Sequence, residues 1–315
     1  MTEIVLSILA GLVLFLFAVF SLSEVIQKVA GERAEQVLRK FTKSVFTAVL
    51  TGTIVTAILD SSSAVIILTI ILVNSKVLDF RRAMGIVLGA NIGTTISSQI
   101  IAMDVGKFSP IFLVIGFVLL IASKSDRLNN TGKVVLYFGV LFFGLYTMEK
   151  AVEPLREEAF FMQWLERIKE PIPGALTGAL VTLVVQSSSA TVGMAIILAK
   201  KGIISLSGGI AVMLGAELGT VSDTLLATIK GSRQAIKTGL FHLIFNLLSI
   251  VLGLIFFYPF VKLVESISGT SHIEHALANA HMLFNIGGVL VFVWFLPLFE
   301  KGLNKLLPEK EAAIL

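Results

Sequence analysis

The chain has 315 residues, 56% of them hydrophobic and only 15% charged, with a formal net charge of +4 and no cysteine. Soluble domains carry about 25% charged residues, so this composition excludes an ordinary soluble globule and describes a chain embedded almost throughout in a bilayer. The missing cysteine excludes disulfides, thiolate chemistry and Cys-ligated metals, and in such a chain Lys and Arg report topology rather than nucleic-acid binding.

The first apolar segment, 4–22, lacks a basic leader and an obvious cleavage site, so it reads as a retained transmembrane helix. The charged stretch 32–43 that follows reads as a solvated helix at the cytoplasmic surface. Segments 44–59 and 62–75 flank DSSSA at 60–64 and hold about 14 residues each, whereas an upright span needs about 20. They predict a re-entrant helical hairpin over 44–75 with its tip at the serines. Segment 80–103 is long enough to span, but GANIGTT predicts a break in it; 108–123 and 133–150 are full spans. The stretch 152–170 (VEPLREEAFFMQWLERIKE) mixes charges with Phe, Met and Trp and predicts an amphipathic interfacial helix. A second hairpin follows over 172–200 around QSSSA at 186–190, then a second broken helix, 206–229, interrupted by GAELGT. Spans at 234–258 and 274–298 and a short tail complete the chain.

The chain repeats itself at an offset of 126 residues. TGTIVTAILDSSSA (51–64) falls on TGALVTLVVQSSSA (177–190) with eight of 14 positions identical, and LGANIGT (88–94) falls on LGAELGT (214–220) with five of seven. The expected plan is two repeats, 1–125 and 126–258, and a third part, 259–315, holding an extra transmembrane helix and a cytoplasmic tail. Each repeat crosses the membrane three times, an odd number, so the second is inverted with respect to the first. The fold class is therefore an all-α integral membrane protein of two inverted-topology repeats, each with a re-entrant hairpin and a broken helix. Loops on one face hold 17 Lys and Arg and those on the other hold eight. The positive-inside rule then orients a multi-pass protein of the cell membrane with its N-terminus outside and its C-terminus in the cytoplasm.

Three serines at a helix break have a chemistry of their own. Unwound backbone at membrane depth is tolerated only where protein or a water-filled cavity surrounds it. The half-helix that begins there presents free N–H groups and the positive end of its dipole, and hydroxyls donate to anions or ligate cations. Such a tip suits a small oxyanion. Asn91, Thr94 and Thr95 from one break and Thr220 from the other join the site, and Gly89, Gly93, Gly215 and Gly219 permit the unwinding. A single such triplet would be read as helix-to-helix glue; two, each paired with a G-A-x-x-G-T stretch, point to function.

The doubled motif, with DSSSA at 60–64, QSSSAT at 186–191 and the paired GANIGTT and GAELGT, resembles the type II sodium–phosphate cotransporter family (Na/Pi cotransporters) over most of the chain. HLIFN at 242–246 and HMLFN at 281–285 fit it as well. The resemblance implies a secondary active transporter that takes up inorganic phosphate with sodium, and is not an enzyme. It implies that Ser61, Ser62, Ser63, Gln186, Ser187, Ser188 and Ser189 line the substrate and sodium sites. With Asn91, Thr94 and Thr220 these form the expected phosphate set; Asp60, Glu217, Thr95, Thr191 and Asp223 form the expected sodium set. Asp60 stands where the family has Gln, and Glu217 where it has Asn, and acids at membrane depth are functional candidates. Asp60 is read either as a cap on the second half-helix or as a cation ligand. No cofactor is expected beyond sodium as co-substrate. The expected partners are phosphate, sodium and the lipid bilayer, with a homodimer and a separate cytoplasmic regulatory chain left open, and no nucleic acid. The alternatives are a carrier of another oxyanion, proton-coupled phosphate transport, a membrane phosphate sensor, and a serine hydrolase, which would need a base beside either triplet. His242, His281, Asn246 and Asn285 read as packing groups, His and Asn bonding across helices.

Overall fold

The computed structural model describes residues 2–103, 105–152, 170–229, 231–269 and 272–308. All regular structure among them is helical: α1 (Thr2–Phe41), α2 (Val45–Leu59), α3 (Ser62–Asn74), α4 (Phe80–Ala102), α5 (Ser109–Ile121), α6 (Asp126–Val152), α7 (Pro171–Val185), α8 (Ser188–Lys200), α9 (Leu206–Gly219), α10 (Val221–Thr228), α11 (Arg233–Ile255), α12 (Phe257–Ser268), α13 (Ile273–Phe292) and α14 (Leu296–Leu306), with short 3-10 turns before α5 and α14. The expected interfacial helix at 152–170 lies, but for its ends, outside the described residues. Six stretches among the described residues are long and apolar enough to cross a membrane: Leu6–Phe41, Phe80–Ala102, Asp126–Ala151, Leu206–Thr228, Arg233–Ile255 and Ile273–Leu306; the full span expected at 108–123 is not among them, because α5 holds only 13 residues, too few to cross upright.

Polar caps set where several helices start. Ser44 and Thr47 form a reciprocal capping box before α2, and Asp79, Ser205 and Ser232 each accept a backbone N–H at the starts of α4, α9 and α11. The helices flanking the serine triplets are short, 15 and 13 residues in both copies. At 1.5 Å per residue they reach only about 22 and 20 Å. Helix α1 is longer than the apolar segment 4–22 suggests. It continues unbroken to Phe41 and buries Ala34 and Leu38, so the charged stretch 32–43 has a packed face as well as a solvated one.

Between helices in lipid the hydrophobic effect supplies little, and close packing and polar contacts do more. The glycines serve this packing. Helix α4 packs along α2 and α9 along α7. A Cβ on Gly89 would collide with the carbonyl oxygen of Val49, and one on Gly215 with that of Ala175. Gly52 and Gly178 also have no room for a Cβ, against the carbonyl oxygens of Ile86 and Val212. This corrects the expectation of two broken helices. Helix α4 runs continuously through GANIGTT, because those glycines bring two backbones together rather than unwinding one. The second break is real but narrow: α9 ends at Gly219, α10 starts at Val221, and Thr220 between them keeps helical dihedrals.

Two apolar cores result. One gathers Phe15, Phe142, Ile196, Met213 and Leu277, from α1, α6, α8, α9 and α13. The other gathers Leu38, Val55, Ile66, Met84, Phe241 and Phe292, from α1 to α4, α11 and α13. Helix α13 follows the repeated part of the chain yet packs against α4.

Candidate functional site

The two serine turns share one backbone design. Asp60 ends α2 in the left-handed region (φ 51°, ψ 33°), and Gln186 ends α7 the same way (φ 56°, ψ 30°). Their N–H groups donate to Thr56 O at 2.8 Å and Thr182 O at 2.6 Å. The next residue is extended in each case, Ser61 at φ −155° and Ser187 at φ −150°, and its hydroxyl accepts the N–H of Ala64 or Ala190 at 3.2 Å. Ser61 and Ser187 are therefore the N-caps of α3 and α8, which removes the reading of Asp60 as that cap. A non-glycine residue held left-handed costs of order 1–3 kcal/mol and persists only where its surroundings fix it. Here the cost is borne twice, at matched positions.

The side chains at the two tips differ. The Asp60 carboxylate accepts a hydrogen bond from the Ser97 hydroxyl on α4. Asp60, Ser97 and Ser189 line a cavity of about 50 Å³, walled by Phe15, Leu22 and Phe138. Ser63 donates to Asp223 Oδ2 on α10 at 3.3 Å, while the Ser222 hydroxyl donates to the Gly219 carbonyl at 2.9 Å and lies 3.4 Å from Oδ1. The first tip thus touches both halves of the chain. Ser188 opens α8 and is buried, 3% exposed. At the second tip Thr182 donates to the Thr191 hydroxyl at 2.8 Å, and Thr191 to Ser187 O at 3.2 Å.

Other expected site residues bond within their own helices. Asn91 donates to Val87 O, Thr94 to Ala90 O, Thr95 to Ile92 O and Thr220 to Glu217 O, at 2.8–3.1 Å. Glu217 is brought to His281: its carboxylate lies 2.7 Å from Nε2, with both side chains buried. The other ring nitrogen of His281 meets Ser98 Oγ at 2.7 Å. His242 meets the Thr224 hydroxyl at 2.8 Å, and Asn246 joins His242 to the carbonyl of Glu217 at 3.2 and 3.0 Å. The expectation that His bonds Asn across helices is corrected in its partners. His281 crosses to Glu217 and Ser98, His242 crosses to Thr224, and the His242–Asn246 contact stays within α11.

Sequence reasoning missed Ser97, Ser98, Ser222 and Thr182. A signal for two of them was present. The 126-residue offset places Ser97 on Asp223 and Ser98 on Thr224, and each of these four residues makes one of the cross-helix contacts above.

Comparison with known proteins supplies the family. The model for the Na+/Pi-cotransporter family matches twice, over residues 14–150 and 152–285. An uncharacterised Bacillus subtilis protein, YqeW, is 28% identical over 308 residues, which cover 98% of this chain and 99% of that one. Escherichia coli YjbB, provisionally named an inorganic phosphate export protein, is 26% identical over 92% of this chain and 53% of its own length. The rat sodium-dependent phosphate transport protein 2A is 24% identical over 61% of this chain and 26% of its own. No solved structure matches.

Proposed function

The chain belongs to the Na+/Pi-cotransporter family, a family of phosphate transporters rather than enzymes, and from that premise we propose that it is a secondary active transporter driving phosphate uptake with sodium across the cell membrane. The observation that carries this reading is the doubled tip. Two turns of the same dihedrals, each followed by a serine-capped helix start, offer backbone N–H groups and hydroxyls to one small oxyanion. In this reading Ser61, Ser62, Ser63, Gln186, Ser187, Ser188 and Ser189 hold phosphate, and Asp60 and Asp223 attract the coupling cations. Asn91, Thr94, Thr95, Thr191, Thr220 and Glu217 frame the site through the contacts described.

The plan that accompanies it is a pair of inverted repeats whose short helices form re-entrant hairpins meeting near the midplane, with the N-terminus outside and the C-terminus in the cytoplasm. The length of the four short helices supports re-entrance, and two successive matches to one family model support duplication. A tenfold sodium gradient supplies about 1.4 kcal/mol per ion, and 100 mV about 2.3 kcal/mol per net charge moved. The name of the E. coli relative favours the opposite flux, and a symporter of this design runs outward wherever the phosphate gradient exceeds the sodium drive.

Radiolabelled phosphate uptake into proteoliposomes tests the reading. An inward sodium gradient should drive accumulation above equilibrium. Accumulation that is the same with potassium in place of sodium would overturn the coupling. Cysteines placed at Thr2 and Lys305 should label from opposite faces; labelling from one face would overturn the odd-crossing plan.

A further inference from the structure

Helices α1 and α6 run antiparallel, tight where Gly11 meets Gly144 and where the rings of Phe17 and Tyr137 meet edge-on at 6.0 Å. Toward the face with the larger basic excess they enclose an open-sided cleft of about 700 Å³, remote from both serine turns. Such a volume falls within the range of small-molecule sites, about 300–1,000 Å³. The lining comes from positions 26, 29, 30 and 33 of α1 and 127, 130, 131 and 134 of α6. Each set follows the spacing i, i+3, i+4, i+7, so each helix turns one continuous face to the cleft. The walls are graded along about 10 Å of helix. Ile26 and Val134 stand at the inner end, beside the apolar runs of the two helices, Asn130 lies midway, and Arg33 and Arg127 stand exposed at the outer end. Among the described residues neither arginine forms a salt bridge, and no acid lines the cleft.

We infer that this cleft binds one anionic phospholipid of the surrounding bilayer, its phosphodiester held by Arg33 and Arg127 and an acyl chain laid along Ile26, Val29 and Val134. A guanidinium presents a planar fork of donors that matches phosphate oxygens. Two of them at one cleft without a counter-charge repel each other until an anion comes between them. The grading fits a lipid better than a free anion. The polar layer of a bilayer is roughly 5–8 Å thick on each side of the hydrocarbon, and long arginine stems can reach back into it. Free phosphate would satisfy the guanidinium groups but leave the apolar wall uncovered, where Val29 is 52% exposed. A zwitterionic lipid would cover that wall but bring a third cation to the two arginines. Basic residues at a membrane face attract anionic lipids in the same way. Because α1 opens the first half of the chain and α6 the second, one bound lipid fastens the two halves at this face. The inference needs only that the chain is embedded in a bilayer, and stands apart from sodium coupling.

The test is titration of the full-length protein in detergent with phosphatidylglycerol and, separately, with phosphatidylcholine of the same chains, read by native mass spectrometry and thermal unfolding. Phosphatidylglycerol should bind in preference and raise the melting temperature. In Arg33→Gln with Arg127→Gln its apparent affinity should fall about tenfold or more and the preference should vanish. Arg39→Gln with Lys40→Gln removes the same charge from exposed positions of α1 outside the cleft and should keep the preference. Ala30→Trp keeps every charge but fills the cleft, and should lose it. Equal binding of the two lipids by the wild type overturns the inference. So does a preference that survives the paired Arg33 and Arg127 substitution or Ala30→Trp, or one that the Arg39 and Lys40 pair removes as fully. Inorganic phosphate, titrated alone, should shift the unfolding of the wild type and the Arg33 and Arg127 variant alike; a shift confined to the wild type assigns the cleft to free phosphate instead. A change of oligomeric mass on substituting Arg33 and Arg127 would make this face a contact between copies of the chain, and would overturn the lipid site as well.

Discussion

The two halves of the chain, α2–α4 and α7–α10, keep the same backbone devices and divide the chemistry between them. Both have the left-handed tip residue, the serine cap and the glycine-mediated contact between helices. They differ where a polar side chain meets the protein interior. Asp60 stands against Gln186, Ser97 against Asp223, Asn91 against Glu217, and Val65 against Thr191. Backbone geometry is demanding and tolerates few residues, so both copies hold it. Side chains around a shared centre need only be complementary as a set, so the copies are free to diverge in charge.

The largest difference to break is the one at Glu217. Its counterpart Asn91 bonds within its own helix, whereas Glu217 depends on His281 from α13. His281→Ala should destabilise the protein by about 3–5 kcal/mol, because it leaves a buried carboxylate without its partner. Adding Glu217→Gln should recover much of that loss. Thermal unfolding in detergent measures both, and a double variant no more stable than the single would show that the pair is not the cause.

Next in size are the glycines, where the halves should behave alike. Gly89→Val and Gly215→Val each drive a side chain into a neighbouring carbonyl oxygen. Each should cost about 3 kcal/mol, the upper part of the overpacking range. If Gly89→Val were harmless while Gly215→Val was not, the equivalence of the two helix contacts would fail.

The tips come third. Ser62→Ala and Ser188→Ala each remove a hydroxyl proposed to meet the anion, and a hydrogen bond to a charged group is worth about 1.5–3 kcal/mol. Phosphate affinity should fall about tenfold or more in each, with the melting temperature little changed. Unchanged affinity in both would return the serines to a packing role.

Much of this comparison was legible in the sequence, and the illegible part has a physical pattern. The short helices and the serine turns between them could be read because apolar segment length, a capping serine and an internal offset are sequence signals. The role of the glycines could not, since a glycine that unwinds one helix and a glycine that admits another have the same identity; only the positions of Val49 and Ala175 separate them. Residues 217 and 281 lie 64 apart on helices with no shared motif, so their pairing has no local signature. The acids at 60 and 223 were visible one by one, but their exchange appears only when the offset is applied to positions such as Ser97 that carry no motif of their own.

The smallest expected effect tests the comparison most closely. Thr182 and Thr191 share a buried hydroxyl–hydroxyl bond of 2.8 Å across the second hairpin. At the offset positions beside the first serine turn stand Thr56 and Val65, and the Thr56 hydroxyl is buried with no hydrogen-bond partner among the described residues. Thr182→Val should therefore lose a net hydrogen bond, about 1 kcal/mol, and leave the Thr191 hydroxyl with only the Ser187 carbonyl. Thr56→Val should be neutral or mildly stabilising, because it removes a buried polar group that has nothing to bond. Restoring the missing partner with Val65→Thr should make the first hairpin resemble the second and render Thr56→Val costly in that background. A double-mutant cycle on positions 56 and 65, read by thermal unfolding, gives the coupling directly. Coupling near zero would mean that the two hairpins, alike in backbone, do not pack their paired helices in the same register.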